Sequence, residues 1–213
     1  EGPVLIAEAA AAGWEIEVEF VGPGAAEPST SAPLEQLAPG VLERVASTER
    51  PQPNLAIVRT PSRAPTLDGA GFVMVTDRIA DPGNLGTMLR SAEAAGVDAV
   101  VLTHGSVDPF NPKVVRASAG ALFHVPVVTA ELDDVRAAGL VLVGTSSHRG
   151  ERHVDADWSG RIALVLGNEA HGLDDDIDVD RWVRIDHLGR AESLNVAMAA
   201  TVLAFEAARQ RTR

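Results

Sequence analysis

From Gly71 onward the chain alternates short apolar runs with helical stretches, and this alternation restricts the fold more than any other feature. Strands are predicted at residues 72–76, 99–103, 125–128, 140–145, 162–166 and 182–185. Several of these runs are apolar without interruption, as parallel strands covered on both faces require. Helices are predicted at 85–95, 112–122, 132–138 and 193–211. The expected fold class for residues 71–213 is α/β, a mainly parallel sheet with flanking helices.

Residues 1–59 read as a separate, smaller α/β unit. A helix is expected over 4–12, with Gly13 as its stop. Residues 15–21 alternate polar and apolar with period two, the mark of a strand with one wet face. The glycines, prolines and serines from Gly22 to Ser31 are loop chemistry. A second helix is expected over 34–46, broken near Pro39-Gly40, and a second strand over 54–59. Residues 60–70, with two prolines, read as a linker.

Composition removes several function classes. There is no cysteine, which excludes disulfides, zinc–thiolate sites and cysteine nucleophiles. Tyrosine is absent and aromatics make up 4% of the chain, so base stacking on aromatic platforms is not expected to dominate binding. No run of about 18 apolar residues spans a bilayer, and no basic-then-apolar leader opens the sequence. A cytoplasmic protein with no membrane partner is therefore expected. The net charge of −12 runs against a nucleic-acid partner. Its distribution answers this in part. Arg78, Arg90, Lys113, Arg116, Arg149, Arg152, Arg161 and Arg190 lie in or near the motifs described next, while acid concentrates in Asp174–Asp180. An acidic protein with a basic cleft is the expectation.

Three short patterns place polar side chains and glycines at the edges of apolar elements, where α/β domains carry chemistry. The first is Asp81-Pro82-Gly83-Asn84-Leu85-Gly86-Thr87-Met88-Leu89-Arg90. Asp-Pro-Gly turns the chain, and Asn84 is a good N-cap. Arg90 lies about 1.7 turns beyond Asn84, so the two need not share a face. The second is Leu166-Gly167-Asn168-Glu169-Ala170-His171-Gly172-Leu173, after a buried strand, which puts Glu169 near a strand's carboxyl end. Its Gly-x4-Gly spacing lacks the lysine and Ser/Thr of a phosphate loop, and a triphosphatase is rejected. The third is Glu192-Ser193-Leu194-Asn195-Val196-Ala197, with Ser193 as a natural N-cap and Asn195 in the first turn. Each alone is also what an ordinary capped helix or glycine turn looks like. His148 and His153 lack further metal ligands. The Asp174–Asp180 run lacks the central glycine and terminal glutamate of a calcium loop, so no metal is expected.

In this order and spacing the three motifs resemble those of the SpoU branch of the SPOUT RNA methyltransferases, joined by a fourth match at residues 113–121. The resemblance covers residues 72–211. It implies a C-terminal trefoil knot, a homodimer formed through knot-side helices with the active site at that interface, and S-adenosylmethionine as cofactor. It implies cofactor contacts from Thr145, Ser146, Leu166, Gly167, Asn168, Ile185, Leu188, Ser193, Leu194, Asn195 and Ala197. It places Asn84, Arg90, Glu169, Ser193 and Asn195 in the catalytic neighbourhood. Arg78, Lys113, Arg116 and Arg149 are the expected RNA contacts. Residues 1–59 resemble, more weakly, a ribosomal-protein-like RNA-binding domain. That domain normally starts earlier, so its first strand and helix are expected to be missing here.

The reaction implied is methyl transfer to a ribose 2′-hydroxyl, in ribosomal RNA rather than transfer RNA. A transfer-RNA enzyme, a catalytically weak RNA- or cofactor-binding module, and a small-molecule α/β enzyme using the same crevice stand as alternatives. One departure is visible. The family usually has Ile-Pro before the third motif, whereas Ile185 is followed by Asp186-His187. Aspartate leaves the loop freer than proline and is expected to add charge beside the cofactor, weakening its binding.

Overall fold

The computed structural model describes residues 1–25, 28, 30–46, 50–62 and 65–212, arranged as two compact units, Glu1–Ala64 and Pro65–Arg213. Ser29 of the expected loop, and Arg63 and Ala64 of the expected linker, lie outside the described residues.

The first unit contains α1 (Pro3–Ala11), β1 (Ile16–Val21), β2 (Leu34–Gln36), α2 (Leu42–Val45) and β3 (Asn54–Val58). Its sheet runs β2-β1-β3, with β1 parallel to β2 and antiparallel to β3. The helix expected over 34–46 is therefore wrong in its first half. Pro39 and Gly40, the latter at φ 83°, leave too few residues upstream to nucleate a helix. The free edge of β1 takes them instead: the Glu19 N–H donates to the Pro33 carbonyl, and the Leu37 N–H to the Val21 carbonyl, each at 2.9 Å. Glu19 is fully buried and accepts bonds from Asn54 Nδ2 (3.0 Å) and Thr30 Oγ1 (3.2 Å). A carboxylate placed there without such partners would be costly.

The second unit contains β4 (Phe72–Thr76), α3 (Pro82–Ala94), β5 (Ala99–Leu102), α4 (Pro112–Ala117), a 3₁₀ turn (Ala121–Phe123), β6 (Val127–Thr129), α5 (Leu132–Ala137), β7 (Val141–Ser146), β8 (Glu151–Arg152), β9 (Ile162–Leu166), β10 (Arg181–Arg184) and α6 (Val196–Arg211). The seven strands lie in the order β6-β5-β4-β9-β7-β10-β8, and every neighbouring pair is parallel. One core holds Met88, Leu89, Trp158 and Leu203; the other holds Val73, Val75, Leu142 and Val165. Apolar side chains of this size contribute about 1.5–3 kcal/mol each when fully buried. No described helix is long and apolar enough to cross a membrane.

Of the expected boundaries that move, three have a clear local cause. The α3 cap is Asp81, whose carboxylate accepts from the Asn84 N–H at 2.8 Å, because Pro82 is preset for the first helical position. The Asn84 side chain is thereby left for other work. The α6 cap is Asn195 rather than Ser193; its side-chain oxygen accepts from the Ala197 and Met198 N–H groups at 2.9 and 3.2 Å. The helix expected over 112–122 stops at Ala117, because Ala119 and Gly120 adopt left-handed backbone at φ 49° and 99°.

The strand order sets the site. Because β9 inserts between β4 and β7, the loops leaving β4 and β9 emerge side by side at the carboxyl edge of the sheet, next to those leaving β7 and β10. Open α/β sheets bind ligands at such an edge.

Candidate active site

A cavity of about 550 Å³ opens at the carboxyl ends of β7, β9 and β10, within the size range of small-molecule sites. Thr145 and Ser146 end β7, Leu166 ends β9, and Gly167, Asn168, Ile185, Ser193 and Leu194 complete most of the expected cofactor set around it. Three expected members lie elsewhere. Leu188 is fully exposed and Ala197 is buried in the core, while Asn195 caps α6. A side chain at Gly167 would overlap the Gly172 carbonyl carbon and the Leu173 nitrogen, so the second motif folds back on itself only with glycine there. The Gly172 N–H closes this turn on the Asn168 carbonyl at 2.8 Å.

The three motifs are joined by side-chain hydrogen bonds. Glu169 accepts from the N–H groups of Ala80 (3.2 Å) and Asp81 (3.0 Å) and from Asn84 Nδ2 (3.1 Å). Asn84 Oδ1 in turn accepts from Asn195 Nδ2 at 3.0 Å. Asn195 Oδ1 ends the series on the first turn of α6. Each amide thus has its orientation fixed by a neighbour that can act in one sense only. Asn168 adds a second tie, donating from Nδ2 to the Arg78 carbonyl at 2.9 Å.

Electrostatics favour an ionised Glu169. Burial alone would push its carboxyl up; the Asn84 amide and the Asp81 and Ala80 N–H groups outweigh that and hold it below the usual carboxylate range. The ionised form is thus favoured, and its oxygens are engaged as acceptors by three N–H donors. Arg78 sits at φ 54°, strained for a non-glycine residue, and pairs with Asp77 (3.0 Å) and Asp174 (2.7 Å). Arg149 stacks on the Trp182 ring, 3.5 Å from its centroid, and faces Asp175 at 3.7 Å. The charge of both expected RNA contacts is answered inside the chain. Lys113 is exposed on α4 and Arg116 half-buried there.

Arg90 is exposed on α3 and does not line the cavity; among the described residues it makes no ion pair. This fits its position well over a turn beyond Asn84. Asp186 corrects the expectation drawn from its sequence. It does not line the cavity; its oxygens meet Arg152 Nε at 2.6 Å and Arg184 Nε at 3.1 Å. Arg152 first, then Arg184, hold its carboxyl low, and its charge is neutralised where it stands. Among the described residues no group of three His, Asp or Glu side chains is placed to hold a metal ion.

The sequence reading missed Trp182, His187 and Leu203, all on the cavity wall. Trp182 carried a signal, as one of only three tryptophans and the first residue of an expected strand. Leu203 carried none, since its spacing on α6 is that of any core residue. The wall combines apolar side chains (Leu166, Ile185, Leu194) with polar ones (Ser146, Ser147, Asn168), a mix suited to a small molecule that has both apolar and polar parts.

A model of the SpoU rRNA Methylase family matches residues 71–205. The chain is 40% identical over 177 residues to the Bacillus subtilis 23S rRNA (guanosine(2553)-2'-O)-methyltransferase RlmP, covering 79% of this chain and 70% of that protein. It is 35% identical over 192 residues to the Streptomyces viridochromogenes 23S rRNA (uridine(2479)-2'-O)-methyltransferase, covering 82% and 67%. The crystal structure of the SpoU methyltransferase AviRb from Streptomyces viridochromogenes with AdoMet superposes at TM-score 0.85, with 31% identity, over 99% of this chain and 89% of that one.

Proposed function

This chain belongs to the SpoU rRNA methylase family, and from that premise we propose that it methylates a ribose 2′-hydroxyl of ribosomal RNA with S-adenosylmethionine as donor. The observation that carries the reading is the series Glu169–Asn84–Asn195, which draws three motifs far apart in sequence into one hydrogen-bonded edge beside the cavity. The cavity suits the cofactor: apolar Leu166, Ile185 and Leu194 for a purine, and Ser146, Asn168 and Ser193 for its polar groups. S-adenosylmethionine, when bound, supplies an electrophilic methyl on sulfonium.

The chain's own residues then have distinct tasks. Glu169 fixes the Asn84 amide, and Asn84 with Ser193 and Asn195 orients the ribose. Positioning of this kind supplies much of a displacement's acceleration. Arg90 keeps its proton and stabilises the developing oxyanion and the adjacent phosphate, since free guanidinium is too basic to accept a proton. Its place outside the cavity supports a homodimer in which a second copy completes the site. Met198, Val202 and Phe205 support the same assembly: all are exposed, and their spacing puts them on one stripe at the outer face of α6. The strand order β4-β9-β7-β10 is consistent with the knotted path the resemblance implies. Residues 1–59 are assigned to RNA recognition, 60–70 to a linker and 71–213 to methyl transfer. A ribosomal-RNA substrate supports a cytoplasmic location.

The test is transfer of labelled methyl from S-adenosylmethionine to separated, unmodified ribosomal and transfer RNA. Alkali-resistant dinucleotide label in the ribosomal pool is the expected result. Label confined to transfer RNA would reassign the substrate, and no label in either pool with folded protein would leave a binding module.

A further inference from the structure

The loop from Ile185 to Leu194 leaves β10 and closes one side of the cavity. Its first residues divide between two environments: Ile185 and His187 line the cavity, and Asp186 between them does not. The two oxygens of Asp186 are held by different arginines, Oδ2 by Arg152 and Oδ1 by Arg184. Neither guanidinium is loosely placed. Arg152 also meets Asp155 at 3.2 Å and comes from β8, whose two residues pair with the end of β10 in the register Arg184↔Arg152. Arg184 also donates to the Gly150 carbonyl, and its own carbonyl accepts from the His153 N–H at 2.9 Å. A side chain at Gly150 would collide with the Trp182 backbone, so β8 lies tight against β10.

We propose that Asp186 is a positioning residue for the cofactor site, tethered by Arg152 outside the cavity and by Arg184 on its wall so that Ile185 and His187 are held in place there. The proposal rests on the reading of the cavity as the S-adenosylmethionine site. One exposed ion pair would do little. Here one carboxylate is shared by two guanidiniums, each anchored a second time, and the loop it restrains has no regular structure of its own. The tether is part-exposed, so salt weakens it.

The experiment is calorimetric binding of S-adenosylhomocysteine to the whole chain at 50 and 500 mM sodium chloride, with melting temperatures measured alongside (salt levels on the order of those that separate weak from strong screening). Variants are Asp186→Asn, Arg152→Gln, the double variant and Asp186→Glu. Asp186→Asn is expected to bind about three- to tenfold more weakly at low salt and to lose most of the wild type's salt dependence. Arg152→Gln should behave alike, the double variant no worse than either single one, and Asp186→Glu should recover part of the loss. Wild-type affinity in both single variants at both salts overturns the proposal. So does an affinity loss that merely tracks a fall in melting temperature and is not recovered by Asp186→Glu. Failure of the unaltered chain to bind the probe at all strikes the cofactor reading instead, and the proposal with it.

Discussion

Replacing Asn84 by aspartate exchanges one NH2 group for an oxygen and changes almost no volume. The bond that Asn84 Oδ1 accepts from Asn195 survives. The bond from Nδ2 to Glu169, 3.1 Å in the native chain, becomes a contact between two carboxylates. Two unit charges about 4 Å apart repel by about 4 kcal/mol at an effective dielectric of 20, and by about 1 kcal/mol in water. Glu169 is exposed and Asn84 half-buried, so the cost belongs toward the lower limit, about 1–2 kcal/mol. That corresponds to a rise of about one unit in one carboxyl of the pair. The native Glu169 carboxyl is held low, so its stabilisation is present above the ordinary carboxylate range and lost as pH falls. In Asn84→Asp the sign reverses: the penalty is full at neutral and alkaline pH and fades as the pair takes up a shared proton. Thermal melts from about pH 8 to about pH 4 should show a deficit of about 2–6 °C at the upper end that narrows toward the lower. The ratio of variant to native methyl transfer should rise as pH falls, whereas Asn84→Ala, which removes the donor without adding charge, should give a flat ratio. A pH-independent deficit in Asn84→Asp, or none, refutes the direct Glu169–Asn84 contact.

Gly167→Ala should weaken S-adenosylhomocysteine binding at least about tenfold, about 1.4 kcal/mol, because its new methyl group overlaps backbone at Gly172 and Leu173 rather than a movable side chain; titration calorimetry checks it. Gly86→Ala places a methyl group 2.8 Å from the Ala117 carbonyl carbon, where α3 and α4 pack. Overpacking should outweigh the gain in helix propensity and lower stability by about 1–2 kcal/mol, seen as a lower melting temperature. Arg90→Ala should leave stability within about 0.5 kcal/mol and cofactor affinity unchanged while methyl transfer falls roughly 10²–10³-fold; near-native turnover would remove Arg90 from the mechanism.

Strands β4 and β9 are legible to the residue because both faces of each are buried, which leaves one continuous apolar run per strand. Helix starts are less so, since Asp81 and Asn84, or Ser193 and Asn195, are all competent caps. The choice falls to Pro82 in one case and to the Asn84–Asn195 bond in the other. Residues 34–36 form a strand only because the edge of β1 is there to receive them. Strand β8 has no local signature, being two charged residues defined by their pairing with β10. At the site, motif chemistry picks out Asn84, Glu169 and Asn195 singly. Their union is a property of strand order, because the bonded pairs are 85 and 111 residues apart. Asp186 shows the same limit from the other side. Its sequence neighbours suggest a loose, charged loop, yet its carboxylate meets Arg184 two residues back and Arg152, which the pairing of β8 with β10 brings in.

The tension between an acidic chain and an RNA substrate also turns on where charges meet. The acid run at 174–180 reads in sequence as a solvated turn, yet Asp174 pairs with Arg78, Asp175 faces Arg149 and Asp178 pairs with Arg136. Much of the positive charge around the cavity is therefore structural: it holds loops, and is not offered to phosphate. Arg161 is exposed and makes no ion pair, but it sits at the amino end of β9 and donates to the Ala70 carbonyl; among the other described residues near the motifs, Arg90, Lys113 and Arg190 are exposed and make no ion pair. They lie on α3, on α4 and in the loop before α6. Phosphate contacts supply most of the affinity of a nucleic-acid binder, and three cations against a net charge of −12 supply little of it. In the proposed homodimer that number and the net charge double together, so the gain is one of local placement, and the RNA recognition proposed for residues 1–59 adds to it. The same shortage fits the proposal that two copies join in the working form, because the exposed cations of each would have to be gathered at one edge to hold phosphate.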